Sequence, residues 1–429
     1  MHLNRAGPVR ACGASAMPPS GGPCLVQGAP ATASVDAQHA PKNGQVVMGT
    51  CGWSSSDAPW SKPPTGTAAA DKLRMYSGPA IGFGCVEVDT TTYQIVNPAH
   101  VAKWCAATPP GFMFCFKMFG FICAKGGQLG GQFPRDIQEK LPGPLAHAPK
   151  GTRVDLHEVP AAVVDEIWER FHESIEPARA AGKLGPVLFQ FHLGFLPGDA
   201  SRAHVEWCRA RLGADIRMAV DFRDRAWVEG PQLGATVRWL RKLDIALAAS
   251  DDLQHELTGD VSGGARVRLP IIARVATPLF AFARVHRRAG SERLLDGNEI
   301  AEWASLLRRS RDGGAAGADE VGWVGDEPDP ALAGPIFFFW GTDHKDQCVT
   351  NAAALQEALG EQSFNWKQYL KELQANSKGG LAGFLAKGRY DWNVILLALV
   401  LSALRLFVVV VACDQPLVVA DSGTMRNPD

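Results

Sequence analysis

Short apolar runs alternate with longer amphipathic ones along most of this chain, from residue 45 to about residue 359. "QVVMGT" (45–50), "CVEVD" (85–89), "FMFCFK" (112–117), "VLFQF" (187–191), "MAVDF" (218–222), "IALAAS" (245–250), "LFAFARVH" (279–286) and "IFFFW" (336–340) read as strands. They are short and apolar, with turn-forming residues around them. Helical spacing predicts helices over 68–75, 99–107, 160–181, 200–212, 234–243, 297–310 and 352–359. A helix after nearly every strand implies a parallel sheet covered by helices. Eight such units predict an α/β fold of the TIM-barrel-like (β/α)8 type with loop insertions. The doubly wound alternative finds no support, because no GxGxxG fingerprint opens any of the helices.

The polar residues are as regular as the apolar ones. Strand after strand begins apolar and ends polar, often as an i, i+2 pair that puts both side chains on one face. Glu87 and Asp89 lie in the second strand, Lys117 ends the third, and Gln190 with His192 closes the fourth. Asp221 and Arg223 close the fifth, Asp251 and Asp252 the sixth, and Arg284 with His286 the seventh, while Asp343 follows the eighth. In a barrel these positions form a polar ring at the mouth where chemistry is done. Trp53, Tyr93 and Trp227 add aromatic surface beside the cations.

Composition narrows the partners. The formal net charge of -1 offers no global signature of a nucleic-acid binder. The ten cysteines include no CxxC, which reads as a reduced, structural set. Without HxH or HExxH spacing no metal is assigned, and no cofactor is identified. Residues 1–45 are rich in Ala, Gly, Pro and Ser with a single acid, as in an organelle-targeting or disordered segment. Residues 46–360 form the barrel, and 361–429 an extension. Within that extension the apolar run 394–413 contains one charge, Arg405, and is long enough to cross a bilayer as a helix. The chain is expected to be intracellular, with organelle targeting or membrane association through that run. Two Gly- and Pro-rich stretches, 124–152 and 311–335, look inserted, and the first is placed to act as a lid.

Seven pieces in order, "GTCGW", "VEVDTTTY", "WCAATPPGFMFCFK", "GPVLFQF", "VDFRDRAW", "FARVH" and "TNAAAL", resemble the YecE-like family, known as domain of unknown function 72, over about residues 46–360. The resemblance implies a TIM-barrel fold and no particular reaction. Asn351, inside the last piece, joins the candidate ligand contacts. The family's Glu in strand five is Asp221 here, its His is Asp224 and its Ser is Ala226, whereas Arg223 and Trp227 match. Three functions follow. In the first, an enzyme of hydrolase or isomerase type uses Glu87 and Asp221 as acid and base on a small anionic or phosphorylated molecule held by Lys117, Arg223 and Arg284. In the second, a non-catalytic barrel binds a nucleic acid or metabolite. In the third, a degenerate barrel is tethered to a membrane.

Overall fold

The computed structural model describes residues 41–54, 58, 60, 69–78, 81–129, 133–251, 271–285, 294–313, 328–341 and 347–361. Most of the N-terminal segment, the apolar run 394–413, Asp252, His286 and Asp343 lie outside them. Among the described residues no helix is long and apolar enough to cross a membrane.

All eight predicted strands form. In chain order the strands are β1 (Val46–Thr50), β2 (Cys85–Val88), β3 (Met113–Lys117), β4 (Gly126–Gln128), β5 (Arg153–Asp155), β6 (Leu184–Phe191), β7 (Met218–Phe222), β8 (Ile245–Leu247), β9 (Ala249–Asp251), β10 (Ala281–Val285) and β11 (Ile336–Trp340). Two parallel sheets have the orders β1-β11-β10-β9 and β2-β3-β6-β7-β8. They are one ring. β8 and β9 are halves of a single strand interrupted at Ala248, and a parallel bridge from Cys51 to Glu87 joins β1 to β2. The result is an eight-stranded (β/α)8 barrel.

Strand alternation divides the apolar residues into two cores. Outward side chains such as Val86, Phe114, Phe189, Val220 and Phe338 pack against the helices. Inward ones, including Val47, Cys85, Cys115, Leu188, Ala219, Ala246, Phe282 and Phe339, fill the lower barrel. The helix Ala161–Ala180 buries Val163, Val164, Ile167, Trp168, Phe171 and Ile175 at spacings that keep one face inward. The helix Gly297–Asp312 starts at an Asp296 capping box closed by Glu299. The helix Pro98–Ala107 is capped by Asn97, and near its other end buried Lys183 Nζ donates to the carbonyls of Cys105 and Thr108.

The seam between β1 and β2 is closed by a side chain. Tyr76, fully buried on the helix Ala69–Ser77, accepts the Thr50 N–H at 2.8 Å and donates its hydroxyl to the Cys85 carbonyl at 2.8 Å. One phenol thus replaces a missing pair of ladder bonds. Tyr76→Phe leaves both backbone groups buried and unpaired, so we expect a loss of about 2 to 4 kcal/mol in urea unfolding. A loss below about 0.5 kcal/mol would mean that the seam closes without the hydroxyl.

The insertion after β3 departs from expectation. The stretch read as a lid, 124–152, belongs to a packed annex that begins at the short helix Gly120–Cys123, includes the helix Arg135–Gln138, and ends with the antiparallel β4–β5 pair. Phe121, Ile122, Leu129, Phe133, Ile137, Leu141 and Val154 are all buried in it, and such apolar anchoring holds a segment in place. In the second insertion Asp329 is clamped by Arg274, which donates from Nε and Nη2 at 2.7 and 2.9 Å.

Candidate functional site

The inward positions at the C-terminal ends of the strands carry charge instead of methyl groups, because above the apolar layer the barrel opens. At the centre lies Arg284 of β10. It donates from Nε and Nη2 to the two oxygens of Glu87 at 3.0 and 2.8 Å, and from Nη1 to Asp221 Oδ2 at 2.9 Å. All three side chains are at most 2% exposed. Asp221 also accepts from Gln190 Nε2 at 3.0 Å and from Ser250 Oγ at 3.2 Å, and Arg223 Nε stands 3.5 Å away.

A second rank stands above this buried one. Lys117 Nζ donates to Gln190 Oε1 at 2.9 Å and lies 3.3 Å from Asp89 Oδ1. Asp89 opens the 3-10 turn Asp89–Thr92, and its side chain is 32% exposed, so among the described residues it is the acid of the ring that is partly exposed. His192 is exposed at the rim beyond Gln190. Gln190 ties the ranks together, accepting from the lysine above and donating to the aspartate below.

Burial pushes the Glu87 carboxyl up to about 7, the neighbouring Asp89 adds to this, and the Arg284 charge only partly offsets it. Asp89 moves the other way. Burial alone would raise it, but the Lys117 charge and a hydrogen bond from Glu87 hold it below the usual range. Below about pH 7 the two acids therefore share one proton, kept on Glu87. For Asp221 burial is likewise outweighed, here by Arg223, Arg284 and Lys117, and its carboxyl stays ionised. Crowding by surrounding protein, with the positive charges of Lys117 and Arg223, lowers His192 and favours its neutral form.

A pH dependence follows. Below its ordinary value of 4.5 Glu87 is protonated in both folded and unfolded chains; between there and about 7 only the folded chain keeps the proton. The folded state then binds more protons, so its stability falls as pH rises through that window and levels off above it. Urea midpoints taken from about pH 5 to about pH 8 should show this decline in the wild type and a flatter profile in Glu87→Gln. An identical slope in both proteins would assign the titration elsewhere.

The other candidates are distributed differently. Trp227 is fully buried outside the barrel, stacked on Phe222 at 4.2 Å, and cannot stack on a ligand in the mouth. Trp53 packs edge-on against Trp104 at 4.9 Å, again in the outer layer. Outward packing won at both positions, where an aromatic beside a cation reads the same in sequence. Asn351 is buried on the helix Gln347–Leu359, and its Oδ1 accepts the Leu295 N–H, tying two segments together. Tyr93, 62% exposed, stands at the rim. Asp251 is buried at the end of β9, and His286 lies outside the described residues. The proposed pairing of Glu87 with Asp221 changes most. Arg284 lies between them, so they flank one guanidinium instead of facing a common substrate.

Ser250 and Cys51 are neighbours that the polar pattern did not single out. Ser250 shares the inward parity of Ala246 and Ala248, a signal that was available in "IALAAS". One ligand atom each from Cys51, Glu87 and Asp89 lies within 4.8 Å of the others. This trio fits a metal poorly. Arg284 already occupies both Glu87 oxygens and Lys117 neutralises Asp89, while burial above all keeps the Cys51 thiol protonated.

Comparison with known proteins places the barrel. A family model described as "Protein of unknown function DUF72" matches residues 47–375, more than half of the chain. The chain belongs to the DUF72 family. The UPF0759 protein YunF of Bacillus subtilis is 28% identical to this DUF72 protein over 196 residues. That match takes in 46% of the chain and only 57% of the relative's length. A crystal structure of a DUF72 family protein from Enterococcus faecalis superposes with a TM-score of 0.50 at 18% identity, covering 76% of this chain and 100% of that one. A second crystal structure of the same protein gives 0.51 at 16% identity, over 74% and 97%. At such identities the likeness is one of fold.

Proposed function

We propose that the barrel mouth is the active site of an enzyme, of hydrolase or isomerase type, for a small anionic molecule. The observation that carries this reading is the two-rank ring. A nearly buried lysine and a partly exposed carboxylate stand over a guanidinium and carboxylates that are fully buried and fixed. Lys117 and Arg223 supply charge for the ligand's anionic group, with Arg223 able to bind in a planar, forked manner. Glu87 and Asp89, sharing one proton below about pH 7, supply an acid next to a base, and His192 in its neutral form is a second proton acceptor at the rim. Asp221 takes no proton in this scheme. Its role is to hold Arg284, Gln190 and Ser250 in place.

Nucleic-acid binding has less behind it, since Trp53 and Trp227, the aromatics that would stack bases, face the outer core.

The reading is tested by melting the protein in inorganic phosphate, sulfate or acetate, each at an ionic strength matched with chloride. A ligand at about 100 times its dissociation constant stabilises the folded state by about 2.7 kcal/mol. We expect a rise in melting temperature for at least one of these anions in the wild type and its loss in Lys117→Met. Equal behaviour of the two proteins would remove the mouth from consideration as an anion site.

A further inference from the structure

We infer that Asp89 occupies the place of the ligand's own anionic group, and that the ligand is a carboxylate which enters by displacing Asp89 from Lys117. This rests on the reading of the mouth as an anion site. Each acid of the ring is held differently. Glu87 receives two hydrogen bonds from Arg284, and Asp221 receives bonds from Arg284, Gln190 and Ser250. Neither can leave without uncovering a buried charge. Asp89 is bound more loosely. Its Oδ1 lies 3.3 Å from Lys117 Nζ, outside hydrogen-bond alignment, so this oxygen is buried without a hydrogen-bond partner, while the side chain as a whole is about one-third exposed and sits on a 3-10 turn outside the sheet.

Lys117, in contrast, is nearly buried, is fixed by Gln190 Oε1, and has Asp89 on the side where exposure is greater. An ammonium donates three hydrogen bonds, so a ligand oxygen can replace Asp89 while the Gln190 bond persists. The groups around the exchange are Cys51 beyond β1, Glu87 on β2, Gln190 and His192 at the end of β6, Asp221 and Arg223 at the end of β7, Ser250 on β9 and Arg284 on β10. Once displaced, Asp89 can keep the hydrogen bond that Glu87 already gives it, which limits the cost of losing the lysine. The group removed is planar and singly charged, and the group that fits its place has the same shape and charge.

The test compares acetate with sulfate in NMR titrations of the full chain at constant ionic strength and about pH 6, where Glu87 keeps its proton and acetate is ionised. In the wild type the anion competes with Asp89; in Asp89→Asn it does not. Acetate is expected to bind about five- to tenfold more tightly to Asp89→Asn, with a smaller gain for sulfate and no binding of either by Lys117→Met. Asp89→Ser is expected to show the same gain as Asp89→Asn, which separates loss of charge from any local disturbance of the turn. If both Asp89 variants bind acetate no better than the wild type, the inference is overturned while the anion site stands. If they gain for sulfate alone, the carboxylate assignment is wrong. If no anion binds to any of these proteins, both this inference and the reading beneath it fail.

Discussion

Arg284→Met is expected to lower the stability of the barrel by about 3 to 5 kcal/mol in urea unfolding, the cost of stripping one partner from a buried ion pair. The residue is 1% exposed and makes three charge-assisted bonds to Glu87 and Asp221, themselves 0% and 1% exposed. Methionine fills part of the volume but leaves two carboxyl groups facing an apolar side chain. Glu87 can respond by keeping its proton at still higher pH. Asp221 retains Arg223 and Lys117 nearby, so its burden is smaller. A combined Arg284→Met, Glu87→Leu and Asp221→Leu variant should recover much of the loss, because well-packed apolar groups often replace a buried ion triad at little cost. A single variant within about 1 kcal/mol of wild type would show that water already reaches the triad and that the lower rank is no rigid platform.

An equally large effect is expected from one added methyl group. A Cβ built on Gly49 lies 2.0 Å from the Cys85 carbonyl oxygen and 2.7 Å from its carbon. Both are backbone atoms, and the oxygen is further held by the Tyr76 hydroxyl at 2.8 Å. Gly49→Ala must therefore push β1 from β2 at the seam that the Cys51–Glu87 bridge closes. Overpacking typically costs about 1 to 3 kcal/mol where side chains can yield. Here backbone must yield, and a loss above about 3 kcal/mol or failure to accumulate as soluble protein is expected. Circular dichroism and urea unfolding of Gly49→Ala would check this, and a midpoint close to wild type would show the seam to be elastic. Because Glu87 belongs to the strand that is displaced, any folded fraction should also bind anions more weakly.

Much of the site was legible before the fold was known. A period of two says which residues share a strand face, so Glu87 with Asp89, Gln190 with His192, and Asp221 with Arg223 were assigned common faces from spacing alone. The same rule fails for aromatics. Trp53 and Trp227 follow strand ends, where the chain has left the pleat and parity no longer gives direction. Tyr76 lies on a helix, and nothing in helical spacing distinguishes a phenol that packs from one that mends a sheet. The packing of the annex after β3 through Leu129, Phe133, Ile137 and Leu141 was not legible, because Gly and Pro mark turns equally in an open loop and in a packed hairpin.

The sequence by itself determined the class of fold and the end of the barrel that carries polar side chains, since strand and helix periods and the apolar-to-polar sense of each strand are local properties. Only the tertiary structure decided which charges meet. Arg284 and Glu87 are 197 positions apart, and Arg284 and Asp221 are 63 apart. Their pairing depends on strand order, stagger and barrel closure, which local pattern does not encode. The same closure sets the depth of each acid, and depth is what separates a fully buried Glu87 from a partly exposed Asp89.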